Sequence, residues 1–175
     1  MKGPVIQWSR PVTWRDIPTK LRLEADEPTR KAIARSLGLE ALSALTADLA
    51  VNPWLDGAEL TGRMRADITQ ISGISLEPFD SRIDEPMLIR FVPAGSPNAP
   101  PPPEDEVELD LEADDPPDVI DGDSIDVAHY VVEQLFLAVD PFARAPGEEF
   151  EPPPDESPAS PFAVLAALKA TKPEE

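Results

Sequence analysis

Apolar and polar positions along the chain repeat with two periods, and each period predicts an element. From Leu60 to Ile68, Leu60, Gly62, Met64, Ala66 and Ile68 alternate with Thr61, Arg63, Arg65 and Asp67. A period of two is that of a strand with one face buried. Leu45, Ala47, Leu49 and Val51 alternate in the same way with Thr46, Asp48 and Asn52. Asn52-Pro53 and Asp56-Gly57 are turn dipeptides, so residues 43–68 are predicted to form one long hairpin. Ile83 to Val92 is a third strand, with Ile83, Met87, Ile89 and Phe91 on one face. Pro86 inside it has no N–H to give a ladder, which implies a sheet edge or a bulge. Val5 to Thr13 and Lys20 to Leu23 are candidate further strands.

The helical period appears twice. Asp26 is a cap residue, Pro28 falls in a first turn, and Gly38 is a stop. Ile33 and Leu37 share one face of that helix, Lys31 and Arg35 another. The second helix is predicted to begin at Asp123 or Ser124, with Asp126 in its first turn, and to end before Pro141. Ile125, Ala128, Val131, Val132, Leu135, Phe136, Ala138 and Val139 fall on one half of its wheel. Asp126, His129, Tyr130, Glu133, Gln134 and Leu137 fall on the other. The predicted fold class is α+β: a single domain with a curled antiparallel sheet, one face covered by the two helices.

Composition then divides the chain. Of 175 residues, 34 are acidic, 15 are Lys or Arg and 23 are proline, with a net charge of −19. Residues 93–128 carry 12 acidic and no basic side chains. Such a stretch buries too little apolar surface to offset its ordering entropy. Residues 94–117 are therefore read as a solvated, proline-rich acidic insertion, and residues 146–161 as a second linker. The expected organisation is one domain over 1–145 that contains this insertion. A proline-rich linker and a short C-terminal helical motif follow over 146–175.

Charge and missing residue types exclude several functions. With no cysteine, disulfides, thiolate zinc sites and cysteine nucleophiles are impossible. The single histidine, His129, rules out multi-histidine metal sites. A net charge of −19 opposes generic attraction to nucleic acid or anionic membrane. The longest apolar stretch, Val127 to Val139, is interrupted by His129, Glu133 and Gln134 and falls short of the ~20 residues a membrane span needs. No signal-peptide pattern opens the chain, and a cytoplasmic location is expected.

Three groups of residues could carry chemistry. Asp126, His129 and Glu133 are spaced to share one helix face and could hold a divalent metal for a hydrolase. The alternative is an ordinary solvated face with a His–Glu pair. Lys31, Arg35, Arg63 and Arg65 could form a basic patch that touches RNA phosphates. The alternative is cross-strand pairing of the arginines with Asp48 or Glu85. The acidic run Glu104 to Asp115 lacks the glycine and bidentate glutamate of a calcium loop, which leaves a free linker or a dock for a basic partner.

Two sets of motifs carry a resemblance. Thr69-Gln70-Ile71-Ser72-Gly73-Ile74-Ser75-Leu76-Glu77-Pro78, Ile83-Asp84-Glu85-Pro86 and Arg90-Phe91-Val92-Pro93 form the first. Asp118-Val119-Ile120, Ile125-Asp126-Val127 and Val132 through Pro141 form the second. In this order they resemble YceD-like proteins, and Ser160-Pro161-Phe162-Ala163-Val164-Leu165 resembles the closing motif of the alphaproteobacterial branch. The resemblance implies a small, non-enzymatic cytoplasmic factor linked to accumulation of 23S ribosomal RNA. Many such proteins carry cysteine where Ser72 stands, some in a C-x-x-C pair, so any thiolate metal site is lost here.

The expected function is support of large ribosomal subunit production through surface contacts, with no cofactor, no membrane and no small-molecule substrate. The expected contact residues are Tyr130, Glu133, Gln134 and Leu137, joined by Phe162 and Leu165 of a C-terminal segment expected to be tethered and mobile. The charge favours a basic ribosomal protein or a large-subunit assembly intermediate over naked RNA. Direct binding to structured RNA through Lys31, Arg35, Arg63 and Arg65 is the alternative, and a metal-dependent hydrolase using Asp126, His129 and Glu133 a remote one.

Overall fold

A computed structural model describes residues 6–101 and 115–149. The sheet is built around the predicted hairpin. Strand β3 (Ala41–Trp54) turns through Leu55-Asp56 into β4 (Gly57–Ile71), and β4 pairs in turn with β5 (Pro78–Pro93). Strand β2 (Thr19–Glu24) lies antiparallel on the other side of β3. The hairpin is longer than the alternation alone predicts, and Asn52-Pro53 stays within β3 rather than turning. The register explains this: β2 reaches only to Val51, so the proline interrupts no ladder with β2.

One flank departs from the antiparallel expectation. Strand β6 (Asp118–Ile120) pairs parallel to the last three residues of β5, completing the order β2-β3-β4-β5-β6. A separate two-stranded sheet joins β1 (Pro11–Thr13) to β7 (Ser124–Asp126). The second helix therefore begins later than predicted. Helix α2 spans Val127–Ala138, and residues 124–126 are held extended by β1. Asp126 is its cap, accepting from the N–H groups of Arg10 and Ala128 at 2.8 and 3.2 Å. Helix α1 (Glu27–Leu37) forms as expected, with the Asp26 carboxylate accepting from Thr29 N at 2.9 Å and Gly38 closing it at φ 68°.

Alternation decides which face is buried. Leu45, Ala47, Leu49 and Val51 of β3, and Leu60, Met64, Ala66 and Ile68 of β4, point to the same side. Both helices cover that side, α1 over β3 and α2 over β4 and β5. Val127, Ala128, Val131 and Leu135 give α2 a fully buried line. Phe136, predicted to lie with them, is 63% exposed. One residue past Leu135 is a rotation of about 100°, which carries Phe136 off the sheet. Tyr130, predicted for the outer arc, is half-buried because its ring meets Phe91 edge-on at 4.9 Å.

The two linker boundaries also shift. Residues 94–101 continue the body in turns, and Asn98 Nδ2 donates to Asp56 Oδ1 at 2.8 Å across to the β3–β4 turn. At the other boundary Glu148 is engaged with the loop after β4, through the wholly buried Ser72. The rest of the acidic insertion, including the run from Glu104, and the segment holding Phe162 and Leu165 lie outside the described residues.

Candidate functional site

The outer arc of α2 faces a cleft of about 330 Å³. Tyr130, Glu133, Gln134 and Leu137 line one wall, as helical spacing of three and four requires. Leu88, Ile89 and Arg90 of β5 form the second wall, and Asp115, Pro116 and Asp118 the third. Leu137 and Leu88 are 71% and 60% exposed, among the most exposed large apolar side chains described. Apolar groups left open beside a cleft mark an interaction surface more often than scattered ones do.

Its electrostatics are acidic. Among the described residues Asp115, Asp118 and Glu133 bring three carboxylates to the rim, against one cation, Arg90. Arg90 lies over the Trp54 ring at 5.2 Å and donates to Glu59 at 3.2 Å. The Tyr130 hydroxyl is pushed well above the usual phenol range, first by burial and then by the neighbouring Asp118 carboxylate, to which it is hydrogen-bonded. Tyr130 is thus a fixed neutral donor that ties α2 to the start of β6.

The proposed basic patch is placed as two separate sets. Arg63 and Arg65 lie on the sheet face away from the helices, whereas Lys31 and Arg35 ride on α1 over the opposite face. Arg65 pairs with Asp48 at 3.1 Å, and Arg63 with Asp84 at 3.2 Å. Asp84, rather than the expected Glu85, is the partner because it shares their face. Lys31 is bonded to Glu27. Beside Lys31 and Arg35 lies a cleft of about 450 Å³ that also takes in Arg30, whose buried Nε has no hydrogen-bond partner among the described residues.

The candidate metal set is not assembled either. The Asp126 carboxylate is spent on capping α2, while His129 and Glu133 line a groove between the helices with Trp8, Leu37 and Phe136. Among the described residues no group of three His, Cys, Asp or Glu side chains could hold a metal ion. Sequence reasoning missed Leu88, Asp115 and Asp118 as neighbours of the α2 arc. Pro86 signalled the open edge on which Leu88 sits, but the pairing of β6 that brings Asp118 there has no local signature.

Fold and cleft define a small α+β protein with an open sheet, one helix-covered face and an acidic cleft at the sheet edge. A family model described as the large ribosomal RNA subunit accumulation protein YceD matches residues 60–169, well over half the chain. The chain belongs to the YceD family, and membership implies a role in accumulation of large-subunit ribosomal RNA. No curated protein and no solved structure matches it. No described helix is long and apolar enough to cross a membrane.

Proposed function

We propose that this protein is a non-enzymatic factor of large-subunit biogenesis, working in the cytoplasm through protein contact at the α2–β5 cleft. The observation that carries the reading is the placement of Leu137 and Leu88, both exposed, beside Asp115, Asp118 and Glu133. Exposed apolar side chains within an acidic rim suit a basic protein surface, because opposite charge steers the encounter and apolar burial holds it. A basic ribosomal protein, free or within an assembly intermediate, has that chemistry. Family membership supports the pathway, and the cleft supports the mode of action.

Sucrose-gradient profiles of a deletion strain test the pathway: the ratio of large to small subunits should fall, and an unchanged ratio under cold stress would remove the reading. Capture of ribosomal proteins by the tagged full chain, with and without ribonuclease, tests the mode. Proteins retained after ribonuclease support direct contact. Direct binding to ribosomal RNA is the second reading. The cleft beside Arg30, Lys31 and Arg35, with the Arg30 Nε buried and unpartnered, favours it as a place for a phosphate. Loss of all capture on ribonuclease treatment would point there.

A further inference from the structure

Strand β5 has sixteen residues, but β6 occupies its outer flank only from Phe91 to Pro93. Over residues 78–90 no described strand pairs with that flank. Which main-chain groups look outward follows from two contacts. The Phe91 carbonyl lies against Gly57 of β4, and Ala94 N–H donates to Ile120 O of β6 at 3.1 Å. Strand alternation then turns the N–H and C=O of Asp84 and Leu88, and the carbonyl of Pro86, away from β4. Pro86 withholds its donor on the open side and costs the β4 ladder nothing, which blunts indiscriminate edge pairing.

The open edge and the acidic cleft are one surface, because Leu88 belongs to both. We infer that the cleft receives an extended, lysine- or arginine-bearing segment of a partner protein, which adds as a strand to the outer edge of β5 in line with β6. The inference rests on the protein-contact reading above and names its mode. Backbone pairing to Asp84, Pro86 and Leu88 gives the segment its register. Alternate side chains of such a strand face the helix side, where Glu133, Asp118 and Asp115 offer three carboxylates. Complementary charge, with Arg90 already held by Glu59, selects a basic occupant.

The test uses the full chain and an end-capped, eight-residue peptide of alternating lysine and valine at physiological salt. A lysine–proline peptide of equal charge, which lacks most strand donors, is the control. The lysine–valine peptide should bind, the control should not, and exchange of the Asp84 and Leu88 amides should slow on binding. Leu88→Pro removes one outward donor, and Glu133→Lys reverses one carboxylate. Each should weaken the peptide by at least about tenfold, the scale of losing one good polar contact. Should Leu88→Pro fail to fold, Glu133→Lys and the wild-type exchange pattern decide alone. Equal binding of both peptides, unchanged affinity in the folded variants, or protection confined to other strands would overturn the inference. So would an unstructured RNA oligonucleotide that displaces the peptide and protects the same amides. Failure here with a subunit defect in the deletion strain removes only the docking mode, whereas a deletion strain without defect removes the reading beneath it.

Discussion

Ser72 and Glu148 are 76 residues apart in sequence and joined by a hydrogen bond from the Ser72 hydroxyl to the Glu148 carboxylate. The same hydroxyl accepts from Ile74 N at 3.1 Å, and the carboxylate also accepts from Ala145 N at 3.0 Å. Gly73 N donates to Ala143 O, and Gln70 Nε2 to Asp140 O. The loop between β4 and β5 is thereby sewn to the chain that leaves α2. Ser72→Ala removes the wholly buried polar centre of an otherwise largely exposed loop and should cost about 1–3 kcal/mol in chemical unfolding.

The knot also predicts a pH dependence. Hydrogen bonds from Ser72 and Ser75 hold the Glu148 carboxyl below its ordinary value of 4.5. A lowered folded-state pKa means the unfolded chain binds the proton more readily, so the contribution is complete above that ordinary value and fades as pH falls below it. Glu148→Gln should therefore lower Tm at neutral pH, and the gap between variant and parent should narrow on acidification. A gap that stays constant with pH would show that the carboxylate charge plays no part.

Tyr130 gives an opposite and separately readable case. It is the single tyrosine of the chain, so phenolate absorbance reports it alone. Burial and Asp118 raise its pKa above the ordinary 10.0. Stability linked to it is complete below that value and is lost as pH rises beyond it. Phenolate should appear only together with unfolding, whereas Asp118→Asn should let it appear earlier. Normal titration at an ordinary phenol pKa in the folded protein would contradict the packing on Phe91.

Two leucines two residues apart should behave differently. Leu135 is fully buried and Leu137 is 71% exposed. Leu135→Ala should cost about 2–5 kcal/mol; Leu137→Ala should stay within about 0.5 kcal/mol, as surface changes do, while weakening partner capture. Thermal melts separate them, and equal losses would mean the α2 arc is covered.

Gly62 tests the sheet centre. Its φ is 152°, and a Cβ there would lie 2.2 Å from the Asp48 carbonyl oxygen. The neighbour is backbone, so little can give way. Gly62→Ala should destabilise by about 1–3 kcal/mol or more in denaturant melts, although the residue touches no partner surface.

What the sequence discloses follows the range of each interaction. Helix α1 was legible to the residue, because Asp26 and Gly38 set its ends locally. The inner face of β4 was legible because alternation is local too. The start of α2 was misplaced because Ser124, Ile125 and Asp126 are claimed by Pro11 to Thr13, a pairing no local pattern shows. The α2 wall of the cleft was readable from the helical wheel. Its other walls were not, since Asp118 meets Phe91 only through a three-residue parallel pairing on the far side of the insertion.

The small sheet of β1 and β7 has a consequence for how the chain is made. Strands β2 to β5 pair with their sequence neighbours, so the meander can form as soon as residue 93 is available. Strand β1 is synthesised before the other described strands, yet Pro11 waits for Asp126. Contacts of such long sequence separation close late, because the loop entropy must be met first. On a translating ribosome the N-terminal strand stays unsatisfied until nearly the whole domain has emerged. The start of the helix that lines the acidic cleft is tied down in the same event, Arg10 N donating to the Asp126 carboxylate and Val127 N to Arg10 O. Completion of the domain and completion of the acidic cleft therefore coincide, and a nascent chain of this protein would not yet present the proposed docking surface that the finished one carries.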